Sequence, residues 1–260
     1  MKILFIGDIV GRPGRDAVNK LLPLIRKEEG IGFVIANAEN AVGGSGINQK
    51  VAQELFNSGV DVLTSGDHIW KKKEIFDIIG SEKRLLRPLN YPANAPGSGW
   101  GVFRVNEFIK VGVINLLGRV FMEALECPFR TVSQAIEKIS SETKIIIVDI
   151  HAEATSEKIA LGWYLDGKAS AVLGTHTHVQ TADEKILPRG TAYITDVGMT
   201  GPYDSVIGRG KESVLSRFID CIPCRFEVAQ DDIQLHGVIV DVAEDSGRAR
   251  KISRVQKKLF

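Results

Sequence analysis

The sequence predicts an α/β protein in which two β-sheets form a sandwich flanked by helices. Short runs of β-branched and aliphatic residues alternate with longer segments of helical period, the rhythm of a parallel sheet covered by helices. Ile145 to Val148 is an unbroken apolar run, as in parallel strands buried on both faces. Residues 85–115 instead contain successive strand-like runs with little helix between them. That stretch predicts antiparallel pairing or a second sheet.

In the first half of the chain, three predicted strands are each followed by a predicted helix. These strands are four-residue runs dominated by aliphatic side chains, and the helices carry apolar residues at helical spacing. The predicted strands are 3–6, 33–36 and 60–63, and the predicted helices are 14–29, 48–58 and 72–79.

The second half begins with the strand-like runs and returns to alternation. The predicted strands are 101–105, 108–114, 145–148, 169–173, 235–242 and 249–255, and the predicted helices are 129–140 and 155–165. Because no repeat, low-complexity segment or linker interrupts the pattern, we expect residues 1–260 to form a single domain.

Composition restricts the class of protein. The chain has 260 residues, 44% hydrophobic and 25% charged, and its formal net charge of +1 argues against an extended nucleic-acid-binding surface. No apolar run approaches the ~18–20 residues of a membrane span, and the apolar N-terminal run is too short for a signal peptide. The three cysteines do not form a disulfide framework, and we expect the lone C-x-x-C of Cys221 and Cys224 to be structural or incidental. These features favour a cytoplasmic protein.

Polar side chains follow five of the predicted strands. Four of the five histidines belong to this set, which comprises Asp8, Glu39, Asn40, Asp67, His68, His151, His176 and His178. In open α/β sheets the ligand crevice lies beyond the carboxyl ends of the strands, so these groups are expected to converge. A nitrogen and oxygen donor set without cysteine suits Mn, Fe, Zn, Co or Ni, and it is large enough for two ions.

Each of these residues also has a simpler interpretation. Asp8 alone can cap a helix, Glu39-Asn40 can form a turn, and a single buried histidine such as His151 is more often a core residue. Asn37 is expected to support the backbone. The glycine loop 43–46 can approach a phosphate with its N–H groups or serve only as a flexible connection. The His176-x-His178 pair is harder to explain without a metal, since residues two apart in a loop can face one centre.

These motifs resemble the calcineurin-like metallophosphoesterases, and within them the bacterial cyclic-nucleotide phosphodiesterase branch. The matching stretches are 7–15 (GDIVGRPGR), 36–46 (ANAENAVGGSG), 174–183 (GTHTHVQTAD) and 194–208 (ITDVGMTGPYDSVIG). Val10 replaces a superfamily histidine, as is usual for the branch, and Glu39 replaces an aspartate. Asp67 stands where the branch normally has asparagine, and Lys71 stands where it often has an acid.

The resemblance implies a calcineurin-like fold and a role for each site residue. Asp8, Glu39, Asn40 and His178 would hold one metal, and Glu39, Asp67, His151 and His176 the other, with Glu39 as the bridge. His68 would be the general acid. Iron or manganese would be the typical metals, with zinc as an alternative, and 2′,3′- or 3′,5′-cyclic nucleotides the typical substrates. An ionised Asp67 is expected to hold its metal more tightly than an amide and to make that ion a weaker Lewis acid.

Other functions remain open at this point. The same metals suit a phosphomonoesterase or an RNA-end-processing enzyme, and a non-catalytic regulator can bind nucleotide or RNA through them. His68 favours catalysis, because a protein that only binds has no need of a general acid. The role of residues 195–208 and the formation of a homo-oligomer are not determined by the sequence.

Overall fold

A computed structural model describes all residues, 1–260, and contains two β-sheets packed face to face. Thirteen strands and five α-helices follow one another along the chain. They are β1 (Lys2–Ile6), β2 (Asp8–Ile9), α1 (Gly11–Glu29), β3 (Ile31–Asn37), α2 (Gln49–Asn57), β4 (Val62–Thr64), β5 (Trp100–Arg104), β6 (Lys110–Leu117), α3 (Pro128–Ile139), β7 (Ile146–His151), α4 (Thr155–Tyr164), β8 (Ala171–Thr175), β9 (Lys185–Ile186), β10 (Ala192–Ile194), β11 (Met199–Pro202), α5 (Lys211–Asp220), β12 (Ile233–Val242) and β13 (Ala249–Lys258).

The first sheet has the strand order β2-β11-β12-β1-β3-β4. Its seventh strand, β13, lies off this path and pairs with β12 along nearly its whole length. Strands β1, β3 and β4 are mutually parallel, whereas β12 is antiparallel to β1 and β13. The second sheet has the order β5-β6-β7-β8-β10-β9. Its centre, β6-β7-β8-β10, is parallel, and β5 and β9 are antiparallel edge strands.

Alternation along β1 and β7 shows how each strand serves two cores. Ile3 and Phe5 of β1 face the second sheet, where they share a core with Ile147 of β7. Leu4 and Ile6 face the opposite way and pack with α1 and α2. This period of two is the geometry of a pleated strand, so a strand between two apolar layers has an apolar residue at nearly every position.

Strand β7 changes character at its carboxyl end. Its outward row, Ile146, Val148 and Ile150, stays apolar and packs with α3 and α4. Its inward row runs from Ile147 to Asp149 and His151, all fully buried. The inter-sheet core therefore gives way to a polar layer at this edge of the sandwich.

The predicted two-sheet α/β architecture is confirmed, with shifts at the element ends. Strands β7 and β8 begin and end one to three residues later than expected, so His151 lies within β7 rather than after it. The segment predicted as a helix over 72–79 is a short 3₁₀ helix, Lys73–Asp77. The two runs predicted between 101 and 114 form the antiparallel pair β5–β6.

The segment between β8 and β12 was left largely unassigned by the sequence. It contributes α5 and three short strands, of which β11 pairs with β2 beside Asp8. None of the helices combines the length and the apolar character needed to cross a membrane. All three cysteines are free, and both residues of the C-x-x-C are exposed.

Candidate metal centre

The eight sequence-predicted site residues meet where strand ends from both sheets come together. Asp8 lies in β2, and the loops after β3 and β4 supply Glu39, Asn40, Asp67 and His68. The second sheet supplies His151 as the last residue of β7, and His176 and His178 follow β8. The clustering follows from topology, because the carboxyl ends of parallel strands open on one edge.

One group of four side chains has the composition of a transition-metal site. Ligand atoms of Glu39, Asp67, His151 and His176 all lie within 4.8 Å of one another. His151 Nε2 is 3.2 Å from Glu39 Oε1, 3.4 Å from Asp67 Oδ1 and 3.0 Å from His176 Nδ1. Two imidazole nitrogens and two carboxylates around one point suit Zn, Mn or Fe.

A second group adjoins the first through Glu39. His178 Nε2 lies 4.0 Å from Asp8 Oδ1 and 3.3 Å from Asn40 Nδ2, and that amide donates to Glu39 Oε1 at 3.0 Å. Glu39 Oε1 thus contacts both groups. Ligation of a metal through the Asn40 oxygen requires the opposite amide orientation, since Asn40 Oδ1 here faces His68 Nδ1 at 2.8 Å.

Two buried oxygens show that the pocket suits cations. Asp8 Oδ1 and Asp67 Oδ1 are buried and have no hydrogen-bond partner. Leaving a buried acceptor unpaired costs about 1–3 kcal/mol, and more when it is charged, so such atoms are rare unless an ion satisfies them. One orphaned oxygen belongs to each group, which fits one cation for each.

Gly66 keeps this space open. A Cβ at residue 66 would collide with the Glu39 carboxylate and with the His151 ring on the side of Nε2. Any other residue at this position would therefore fill the space between the Glu39 carboxylate and the His151 ring.

Burial and neighbouring charges shift the pKa values of the ionisable groups in the pocket. Burial raises the pKa of Asp8 to about 7. Burial acts in the same sense on Glu39, but the charge and hydrogen bond of His151 prevail and hold the pKa of Glu39 well below its usual range. Burial lowers the pKa of His151, yet the Glu39 carboxylate outweighs it and raises that pKa well above normal. The Glu39 carboxylate is thus stabilised by positive charge beside it, which His151 supplies here and which a metal ion would supply when bound.

The two histidines after β8 differ from His151. Burial and then the His151 charge lower the pKa of His176 to about 4, and burial lowers the pKa of His178. Both rings are therefore held neutral, the state in which imidazole binds metals.

A buried chain of hydrogen bonds fixes the His151 ring. His151 Nδ1 lies 2.9 Å from Thr175 Oγ1, which donates to Asp149 Oδ1 at 2.8 Å. The other carboxylate oxygen of Asp149 accepts from Thr64 Oγ1 at 2.6 Å and from Asn37 Nδ2 at 3.1 Å. With Nδ1–H donating to this chain, His151 Nε2 is the nitrogen aimed at Glu39 and Asp67.

The His176-x-His178 loop has a strained backbone that neighbouring groups hold in place. His176 and His178 have φ of 105° and 65°, in the region that favours glycine. The His176 N–H donates to Asp8 Oδ2 at 3.1 Å, and Thr177 donates through both N–H and Oγ1 to Asp196 Oδ2 at 3.0 and 2.8 Å. Asp196 is fully buried and paired with the fully buried Lys158 at 2.9 Å.

Residues 195–208, whose role the sequence left open, pack onto the site. Residues 206–209 form a tight hairpin turn in which Ile207 and Gly208 have φ of 47° and 92°. The Ile207 carbonyl accepts from His178 Nδ1 at 3.0 Å and leaves Nε2 facing Asp8. A Cβ at Gly208 would lie 2.8 Å from the Cγ1 of Val10, so this turn covers Val10 beside the site.

Several residues near the site were not found by sequence reasoning. Glu153 Oε2 lies 3.1 Å from His176 Nε2, so the exposed side of that ring also has a carboxylate partner. Asp149 and Thr175 were also missed as supports of His151. Asn37 was expected to support the backbone, and its side chain does so by donating to Ser65 O and accepting from Glu39 N–H.

The structure excludes one of the simpler interpretations. Asp8 does not cap α1, because the capping position is Val10 and no side chain caps the helix there. The glycine loop 43–46 contacts Arg209, whose guanidinium donates to the carbonyls of Gly43 and Gly44.

His68 is half-buried, and its hydrogen bond with Glu39 raises its pKa.

The sequence and the fold both have known counterparts. The pattern that defines the YmdB-like proteins matches residues 4–255. A 2′,3′-cyclic-nucleotide 2′-phosphodiesterase of Bacillus subtilis (strain 168) is 49% identical over 255 residues, 98% of this chain and 96% of that protein. A putative phosphatase/phosphodiesterase of Mycoplasma pneumoniae is 36% identical over 263 residues, covering 98% of this chain and 92% of that protein.

Solved structures give the same picture. A hypothetical protein from Thermus thermophilus superimposes with a TM-score of 0.93 at 42% identity, covering 99% of both chains. The calcineurin-like phosphoesterase YfkN of Bacillus subtilis gives a TM-score of 0.60 at 11% identity, covering 99% of this chain and 90% of that one. The last likeness concerns the fold alone.

Proposed function

Because the chain belongs to the YmdB-like protein family, we propose that it is a di-metal phosphodiesterase that hydrolyses 2′,3′-cyclic nucleotides. The observation that carries this proposal is the pair of buried carboxylate oxygens without partners, Asp8 Oδ1 and Asp67 Oδ1, on either side of Glu39. The 49% identity to the Bacillus subtilis 2′,3′-cyclic-nucleotide 2′-phosphodiesterase supports the substrate class.

Seven residues would hold the metals. Glu39, Asp67, His151 and His176 would surround one ion, and Asp8, Asn40 and His178 would share Glu39 around the other. When bound, two such ions supply a hydroxide nucleophile at neutral pH and neutralise the phosphodiester. Asp67 would add a negative charge that an amide lacks. Iron or manganese as the native metals and a cytoplasmic location remain predictions.

His68 is the residue we assign to protonate the leaving oxygen. Its Nδ1 is engaged by Asn40 Oδ1, while its Nε2 is 3.7 Å from Asp67 Oδ2, beyond hydrogen-bond distance. One ring nitrogen is therefore anchored and the other is free for a ligand. Proton donation by such an imidazole contributes ~10²–10⁴-fold to rate.

The decisive experiment compares substrates and the His68→Ala variant. We expect the Mn²⁺- or Fe²⁺-loaded protein to turn over 2′,3′-cyclic AMP faster than p-nitrophenyl phosphate, with 3′,5′-cyclic AMP as a second accepted substrate. His68→Ala is expected to lose ~10²-fold or more in kcat while elemental analysis shows full metal content. Loss of one metal equivalent would make His68 a ligand instead. Binding of cyclic nucleotides without turnover would indicate a regulator.

A phosphomonoesterase or RNA-end-processing activity is the second candidate. The Mycoplasma pneumoniae relative named a putative phosphatase/phosphodiesterase supports keeping it. Faster hydrolysis of p-nitrophenyl phosphate or of a 3′-phosphorylated oligonucleotide than of cyclic nucleotides would select it.

A further inference from the structure

A basic pocket lies at the opposite end of the sandwich from the metal centre. Its volume is about 330 Å³, and four of its lining residues are cationic, namely Lys144, Lys168, Arg189 and Arg248. No acidic residue lines it. Its walls are the turns that precede β7, β8, β10 and β13. The metal centre lies beyond the other ends of β7 and β8, roughly 20 Å away at ~3.3 Å per strand residue.

The four cations have no carboxylate partners. None of their side chains has an acidic oxygen within 4.0 Å, in a chain with 33 basic and 32 acidic residues. Lys144 Nζ donates to the Asp245 carbonyl at 2.9 Å, and Lys168 Nζ stands 4.4 Å from the Tyr164 ring centroid. Four like charges around one concavity repel one another, and an anion between them removes that repulsion.

Glycines allow the turns that carry three of these exposed cations to pack closely together. A Cβ at Gly167 would lie 2.8 Å from the Cβ of Arg189, and one at Gly190 would lie 3.1 Å from the Cγ of Arg248. A Cβ at Gly247 would overlap the Lys144 carbonyl. All three glycines have positive φ, between 73° and 97°, so the turns are shaped around the basic residues.

The arginine side chains are therefore guided by packing. The stem of Arg189 lies on Gly167, and its backbone N–H donates to both oxygens of the buried Asp166 at 3.0 and 3.1 Å. The stem of Arg248 lies on Gly190. An arginine that is already placed loses less entropy on binding, and its planar fork matches phosphate oxygens.

We propose that this pocket binds a small ligand with two or more adjacent phosphate groups. A single phosphate cannot meet four cations spread around about 330 Å³, whereas a diphosphate group offers oxygens in several directions. Inorganic pyrophosphate and a nucleoside di- or triphosphate share this chemistry. The site is independent of the metal centre and of the proposed function.

Calorimetric titration of the metal-loaded protein tests the proposal. Pyrophosphate, ADP, ATP and orthophosphate are titrated into the unmodified chain and into Arg189→Gln and Arg248→Gln. The matched control is Arg250→Gln, an exposed arginine on β13 that does not line the pocket. Glutamine keeps most of the stem and removes only the charged fork, and thermal melts verify that each variant is folded.

We expect one diphosphate site that weakens about tenfold or more in Arg189→Gln and in Arg248→Gln and stays unchanged in Arg250→Gln. The same site should persist after metal removal with a chelator, which separates it from anion binding at the metal centre. ATP binding more tightly than pyrophosphate would identify a nucleotide as the ligand, and equal affinities would identify the free diphosphate.

Three results would overturn the proposal. They are the absence of a diphosphate site, equal affinities in the pocket variants and the unmodified chain, and orthophosphate binding as tightly as pyrophosphate.

Discussion

Thr175→Val tests whether the buried chain behind His151 sets metal affinity. The hydroxyl of Thr175 joins His151 Nδ1 to Asp149 Oδ1, with distances of 2.9 and 2.8 Å. Valine has nearly the same shape but no hydroxyl, so the ring nitrogen and one carboxylate oxygen both lose their partner. Neither remaining neighbour of His151 Nδ1 replaces that bond in this geometry, because the Asn37 amide nitrogen at 3.4 Å is itself a donor and Asp8 Oδ1 at 3.8 Å is beyond hydrogen-bond distance.

The expected cost has two parts. Two buried polar atoms without partners destabilise the protein by about 2–6 kcal/mol, at ~1–3 kcal/mol for each. Loss of the hydrogen bond between His151 Nδ1 and Thr175 is expected to lower affinity for the metal beside His151 by about 10–100-fold. Competition of the protein with a metal-sensitive chelator measures the affinity, and urea unfolding of the metal-free protein measures the stability.

Thr64→Val is the matched control for this experiment. Thr64 is equally buried and donates to the same Asp149 carboxylate at 2.6 Å, but it does not contact His151. We expect it to cost about 1–2 kcal/mol of stability and to leave metal affinity within about threefold. Thr175→Ser keeps the hydroxyl and should restore affinity. Equal losses of affinity in Thr175→Val and Thr64→Val would refute the reasoning, and so would failure of the serine variant to recover it.

Three further substitutions test other parts of the site. Gly66→Ala should abolish binding of one or both metals in a titration, because its Cβ would collide with Glu39 and His151, whereas Gly80→Ala should be neutral since nothing lies within 4 Å of a Cβ there. Lys158→Met should lower the free energy of unfolding by about 3–5 kcal/mol in urea, because it leaves the buried Asp196 without its ion pair; a loss below about 1 kcal/mol would show that Asp196 keeps a counter-charge. Ile207→Asn should raise stability by about 1 kcal/mol, because asparagine tolerates a φ of 47° better than a β-branched residue, and a decrease would mean that the exposed isoleucine contributes packing.

The sequence predicted much of the site because strand ends and polar residues coincide. Asp8, Glu39 and His176 each follow an apolar run, and a parallel sheet brings such positions together regardless of their separation along the chain. The role of Thr175 was not predictable, because its partners His151 and Asp149 lie on a neighbouring strand and a threonine in an apolar run reads as an ordinary strand residue. Helix α5 was missed although Leu215, Phe218 and Ile219 have helical spacing, and these apolar residues are exposed rather than packed on the core.

The donor groups come from both sheets, and this has a consequence for how the protein folds and unfolds. Asp8, Glu39 and Asp67 belong to the first sheet and His151 and His176 to the second, so no fragment containing only one sheet can assemble the cluster. An ion bound there would contact residues of both sheets and would stabilise the folded sandwich relative to any state in which the sheets separate. At an ion concentration of ~100 times its dissociation constant, binding would raise the free energy of unfolding by about 2.7 kcal/mol. Removal of the ion would lower the free energy of unfolding by that amount and increase the small fraction of molecules in which the apolar layer between Phe5 and Ile147 is exposed.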